Sequence, residues 1–109
     1  MPRPSIDLYG SSVLVVDDNE AAAMVLTDIL RETGFVVGCA MSGKQALACV
    51  AQAALKKPYD VVALDWRMPG MDGLEVARAI KEMNLPKEPK LLMLSAYHTE
   101  ELIQGARQL

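Results

Sequence analysis

Two apolar runs in this chain lack any polar alternation, and both end on carboxylates. Val13 to Val16 stops at Asp17-Asp18, and Val61 to Leu64 stops at Asp65. A strand with one solvated face alternates polar and apolar residues, so an unbroken run reads as a strand covered on both faces, the environment of a parallel sheet. The carboxyl end of such a strand is where open α/β sheets bind ligands. Asp65 then leads into the turn-rich stretch DWRMPGMDG, where Pro69-Gly70 is a turn pair and Asp72-Gly73 opens the next amphipathic segment. Taken alone, Asp65 reads first as a solvated strand-end aspartate, because aspartate is common at turns.

The remaining chain multiplies this arrangement. Asn19 is placed to cap a helix from about Glu20 to Thr33, with Ala22, Val25, Leu26, Ile29 and Leu30 at helical spacing and Gly34 as the stop. Phe35 to Ala40 is a weaker strand interrupted by Gly38, which suits a sheet edge. Ser42 and Gln45 have the spacing of a capping box for a second helix, whose apolar stripe is Ala46, Leu47, Val50, Ala51 and Ala54, and Pro58 breaks the pattern. Asp72 and Glu75 pair likewise before a third helix with Leu74, Ala77, Ile80 and Met83 inward. After a proline-bearing loop, Leu91 to Leu94 forms a fourth strand ending in Ser95-Ala96-Tyr97. A fourth helix follows, with Glu100 and Glu101 in its first turn and Leu102, Ile103, Ala106 and Leu109 inward.

An order βαβαβαβα requires right-handed crossovers and a parallel sheet with helices on both faces. With strand order 2-1-3-4, Asp17, Asp18 and Asp65 converge at the topological switch point, and Ser95 arrives from the neighbouring strand. Residues 1–12, with Pro2, Pro4 and Gly10, read as a lead-in or linker, and residues 13–109 as one domain. The pattern ends within an amphipathic segment, so the domain reads as incomplete at its C-terminus.

Composition excludes several classes. A net charge of −3, with no basic cluster, lacks the footprint of nucleic-acid binding. No apolar run approaches the about 18 residues of a membrane span, and the first residues lack signal-peptide order. Cys39 and Cys49 lie in apolar stretches without metal-ligand spacing, so they read as small core residues in a reducing, cytoplasmic setting. With 51% hydrophobic but only 5% aromatic residues, the core must be aliphatic, and the seven methionines serve as packing. His98, without partners, reads as a solvated helix-start residue.

Three carboxylates in a partly desolvated cleft repel one another and need protonation or a cation. Mg²⁺, which takes oxygen ligands and keeps several waters, is the natural one. At this point VLVVDDNE from Val13 to Glu20, the DWRMPGMDG loop, SAY after strand four and their spacing together resemble the receiver domains of two-component response regulators and hybrid sensor histidine kinases. The resemblance spans residues 13–109 and implies a flavodoxin-like fold. It implies that Asp65 is the phosphoacceptor, that Asp18 ligates Mg²⁺ directly and Asp17 through water, and that the Arg67 backbone carbonyl completes the ligand set. Ser95 matches the switch hydroxyl, and the backbones of Trp66 and Ala96 match the phosphoryl contacts. Tyr97 and helix four would be the moving surface. The implied partners are a histidine kinase or histidine phosphotransfer domain and an output domain in the parent protein.

The chain departs from that family in lacking a fifth strand with its phosphoryl-contacting lysine and a fifth helix. Lys90 falls at the wrong sheet edge, and Lys81 and Lys87 lie on helix three and the loop after it. An uncovered strand-four edge would invite association with another chain. Two other functions compete with phosphoacceptance. One is a non-phosphorylated pseudo-receiver acting as an interaction module. The other is an aspartate-nucleophile hydrolase, which usually has a second aspartate where this chain has Arg67.

Overall fold

The computed structural model describes residues 10–65, 68 and 70–94. The lead-in before residue 10, the anticipated fourth helix and His98 lie outside the described residues. Seven elements follow in chain order: β1 (Ser12–Val16), α1 (Glu20–Glu32), β2 (Val36–Ala40), α2 (Gly43–Ala54), β3 (Val61–Asp65), α3 (Gly73–Glu82) and β4 (Lys90–Leu94). The sheet has the order β2-β1-β3-β4, and all three ladders are parallel. The α/β fold and strand order expected from the sequence are therefore present, with β2 at an edge.

The unbroken apolar runs explain why β1 and β3 are central. Val13, Leu14, Val15 and Val16 are all buried, as are Val62, Ala63 and Leu64. Alternation still operates within these runs, because both faces are covered. Leu14, Val16, Val62 and Leu64 pack with Ala46 and Val50 of α2 and Val76 and Ile80 of α3, whereas Val13 and Val15 pack with Ala23 and Leu26 of α1 and Val37 of β2.

The helices are rotated from the stripes counted in sequence. In α1 the buried residues are Ala23, Leu26 and Thr27, while Val25 is exposed. In α2 Ala51 is exposed and Gly43 is buried, and in α3 Leu74 is exposed while Gly73 and Val76 are buried. The cause is the same in each case. Counting apolar residues alone passes over glycine and threonine, whereas a helix seated closely on a sheet admits Gly43, Gly73 and Thr27 at the contact beside larger residues such as Leu26, Val50 and Ile80.

The helix ends show how local chemistry was met. Asn19 Oδ1 accepts from Ala22 N at 3.1 Å, and Gly34 follows α1 with φ of 108°. Ser42 Oγ accepts from Gln45 N at 3.1 Å, but Gln45 Oε1 turns to Met41 N at 2.7 Å, one residue before the cap, so the anticipated box is displaced. The Asp72–Glu75 box is complete.

The cysteines also require a correction. Cys39 is exposed, with its Sγ 3.0 Å from Thr27 Oγ1, because the edge position of β2 leaves it only partly covered by α1. Cys49 is half-buried and packs against the α2–α3 face, on the opposite side of the sheet. Gly38, read as a weak point of β2, makes room for Tyr59, whose hydroxyl oxygen lies 2.8 Å from where a Cβ would stand.

At the amino edge, Asp60 ties three strands together. Its Oδ2 accepts from Ser12 N at 2.8 Å, its Oδ1 pairs with Lys87 Nζ at 2.7 Å, and its carbonyl receives Lys90 N at 2.9 Å. The Lys87 hydrogen bond, then that from Ser12 N, holds the Asp60 carboxyl below its ordinary range. Lys87 is largely exposed, so the ion pair itself contributes little, and the bond to the amide of buried Ser12 matters more. A depressed carboxyl contributes stability above its unfolded value and loses it as pH falls through the folded value. Asp60→Ala is expected to cost about 2 kcal/mol at neutral pH, with the deficit shrinking below about pH 4, where the wild type also loses the charge. Denaturant titrations at both pH values measure this difference.

Candidate functional site

The opposite, carboxyl edge of the sheet gathers the acids. Asp65 is the last residue of β3 and is 4% exposed. Asp17 directly follows β1 and continues its ladder, donating its N–H to the Ala40 carbonyl at 3.0 Å, and Asp18 beyond it is exposed. The register pairs Val16 with Leu64, so adjacent central strands end almost level. As a result, Asp17, Asp18 and Asp65 each offer a carboxylate oxygen within 4.8 Å of the others.

Helix capping does not account for this cluster. The cap of α1 is Asn19, and Asp17 Oδ1 only braces it by accepting Asn19 N at 2.9 Å. Asp18 takes no part in the cap. Asp72, the next acid along, is committed to its capping box with Glu75. Carboxylates gathered this closely repel one another when ionised, most weakly at exposed Asp18, where solvent screens the charge. An all-oxygen donor set of this charge suits a hard divalent cation, which would convert the repulsion into attraction.

Lys87 and Lys90 lie at the amino edge and Lys81 is in the last turn of α3, whereas Lys44 stands in the first turn of α2, just beyond the carboxyl end of β2. Trp66, Arg67, Ser95, Ala96 and Tyr97 lie outside the described residues. Leu94, immediately before Ser95 in the chain, is paired with Asp65 across the β3–β4 ladder.

Two contributors escaped the sequence reading. Met68 is 7% exposed and joins the α2–α3 core, anchoring the segment after Asp65. Gly73 sits against Asp65 itself: a Cβ there would come 2.7 Å from the Asp65 carbonyl oxygen. Its signal was its place on the inward stripe, three and seven residues before Val76 and Ile80.

Comparison with known proteins agrees with this geometry. The family model described as "Response regulator receiver domain" matches residues 13–109. The chain belongs to that family. This receiver domain is 38% identical over 89 residues to the transcriptional regulatory protein AruR of Pseudomonas aeruginosa, covering 81% of the chain and 35% of that protein. It is 28% identical over 102 residues to sporulation initiation phosphotransferase F of Bacillus subtilis, covering 94% of the chain and 77% of that protein. A third relative, the sensory/regulatory protein RpfC of Xanthomonas campestris, is 35% identical over 88% of the chain, which spans only 13% of that protein. Among solved structures, a variant of the receiver domain of the histidine kinase CKI1 from Arabidopsis thaliana superimposes with a TM-score of 0.74 at 30% identity, covering 93% of this chain and 81% of that one. A CheY-like receiver domain from Methylobacillus flagellatus gives 0.73 at 27% identity, covering 82% and 72%. The receiver is thus a module of two-component signalling with a flavodoxin-like fold. No described helix is long and apolar enough to cross a membrane.

A divalent ion held by the cluster would make stability depend on it. In chelator, Asp18→Asn is expected to raise the thermal midpoint by relieving repulsion. Added Mg²⁺ should stabilise the wild type, by about 2.7 kcal/mol at a hundredfold excess over its dissociation constant, and leave the variant nearly unmoved. Differential scanning fluorimetry with and without Mg²⁺ checks both signs.

Proposed function

We propose that this receiver accepts a phosphoryl group on Asp65 from a phosphohistidine of a histidine kinase or phosphotransfer domain. The observation that carries the reading is the cluster itself: a buried strand-end carboxylate with two further carboxylates within 4.8 Å. An Asp65 oxygen attacks phosphorus, the P–N bond breaks, the imidazole leaves and takes up a proton, and an aspartyl phosphate results. Both reactants are anionic, so the approach must be neutralised. Bound Mg²⁺ supplies that neutralisation and aligns the phosphoryl oxygens. Asp17 and Asp18, with Asp65 and the Arg67 carbonyl, would hold it.

The pairing of Asp65 with Leu94 supports Ser95 as the hydroxyl that donates to the new phosphoryl oxygens, with the backbones of Trp66 and Ala96 as further contacts. Drawing Ser95 toward the phosphate biases the segment after β4, and an output domain in the parent protein reads that shift. We place the reaction in the cytoplasm, consistent with the two free thiols.

Incubation with acetyl phosphate and Mg²⁺ is expected to add one phosphoryl group by intact mass, and Asp65→Asn or chelation should abolish the addition. A wild type that gains no mass would overturn the reading.

The donor needs a surface beside the cluster. Met24 and Val25 of α1 are 59% and 49% exposed, one turn beyond the acidic end of the sheet. An apolar patch rimmed by acids suits docking of a partner helix. Met24→Glu should slow transfer from a phosphohistidine protein at least tenfold while leaving uptake from acetyl phosphate unchanged, as stopped-time gel assays of the two donors would reveal.

A further inference from the structure

The tightest contact around the site is between the backbone of Asp65 and the first residue of α3. A Cβ added to Gly73 would lie 2.7 Å from the Asp65 carbonyl oxygen, well inside the 3.4 Å at which ordinary van der Waals contact begins. The same Cβ would lie 3.3 Å from Met93 Cε and Sδ. Met93 is a flexible side chain and can give way. The Asp65 carbonyl is backbone, and it belongs to the residue that carries the site's most buried carboxylate.

α3 cannot back away to admit the extra carbon. Val76 and Ile80, on the same face as Gly73, are 0% and 1% exposed in the core shared with Val62 and Leu64. The capping box of Asp72 and Glu75 fixes the helix start as well. The element left to move is the end of β3. That end is held on its other side by pairing with Leu94, and the Asp65 carboxylate projects from it toward Asp17 and Asp18.

We propose that Gly73 is a positioning residue for the phosphoacceptor. Having no side chain, it lets α3 seat directly on the Asp65 carbonyl, and this seat sets the distance of the Asp65 carboxylate from its two acidic neighbours. The inference rests on the reading of Asp65 as acceptor. Gly73 is the first residue of α3, directly after the Asp72 cap, and the close approach of the Asp65 carbonyl leaves no room there for any side chain.

The test compares wild type, Gly73→Ala and Glu75→Ala. The last removes half of the capping box and weakens α3 without adding an atom near Asp65. For each protein, Mg²⁺ affinity is read from the fluorescence of Trp66, the only tryptophan and the residue after Asp65, and the rate of phosphoryl uptake from acetyl phosphate is read by intact mass. A misplacement of one ångström costs about 100-fold in rate, and the contact falls short by less than that. G73A is therefore expected to be slowed roughly tenfold, with weaker Mg²⁺ binding and a cooperative thermal transition, while E75A loses stability but keeps the wild-type rate.

Equal rates and Mg²⁺ affinities in G73A and wild type overturn the inference and leave the phosphoacceptor reading standing. So does an equal slowing in E75A, which would make the effect one of helix stability. A wild type that takes up no phosphoryl group overturns both. A G73A that does not fold overturns the inference too, because the position then serves the fold as a whole and not the placing of the Asp65 carboxylate.

Discussion

The structure depends on holding three like charges together at the end of an apolar sheet. Asp17, Asp18 and Asp65 come within 4.8 Å because β1 and β3 are adjacent, parallel and in a register that ends them level. The repulsion is sustained by the burial of Val13 to Val16 and Val62 to Leu64, whose packing on both faces leaves the strands no freedom to slide apart. A one-residue slip would send every side chain of a strand to the opposite face. The core therefore specifies the charge cluster as firmly as it specifies the sheet.

The two edges of the sheet use their polar groups in opposite ways. At the amino edge, Asp60, Ser12, Lys87 and Lys90 satisfy one another with short hydrogen bonds, and the charges are balanced. At the carboxyl edge three acids face one another. The helix starts follow the same division. Asn19, Ser42 and Asp72 meet the capping demand, which leaves Asp18 outside it and Asp17 with a secondary, bracing bond. Acids gathered at one edge of an otherwise satisfied structure are what the proposed cation and phosphoryl group would meet. Membership of the receiver family gives that chemistry a setting, a two-component relay.

Small residues set how closely the layers approach, and they are where pattern reading failed. Ala23, Gly43 and Gly73 occupy inward positions in the three helices, whereas the larger Val25 and Leu74 face outward. Hydrophobic counting weights a residue by size, but where a helix comes closest to the sheet the bulk at the contact is limiting, so small residues hold inner positions beside larger ones such as Leu26, Val50 and Ile80. Cys39 went astray for a related reason. Its neighbours are apolar, but an edge strand has cover on one side only, and no run of sequence carries that information.

By itself the sequence determined the described strands and helices and the candidate acids, because unbroken apolar runs, capping residues and turn pairs are local signals whose meaning does not depend on distant partners; the order 2-1-3-4 entered as a supposition, and the structure supplied it. Asp17, Asp18 and Asp65 were legible as strand-end carboxylates for the same reason. Only the tertiary structure decided the rotation of each helix, the knot of Asp60 with Ser12 and Lys87, and the seat of Gly73 on the Asp65 carbonyl. Those depend on contacts between residues far apart in the chain or across layers, where steric fit at the scale of a single carbon atom decides the outcome.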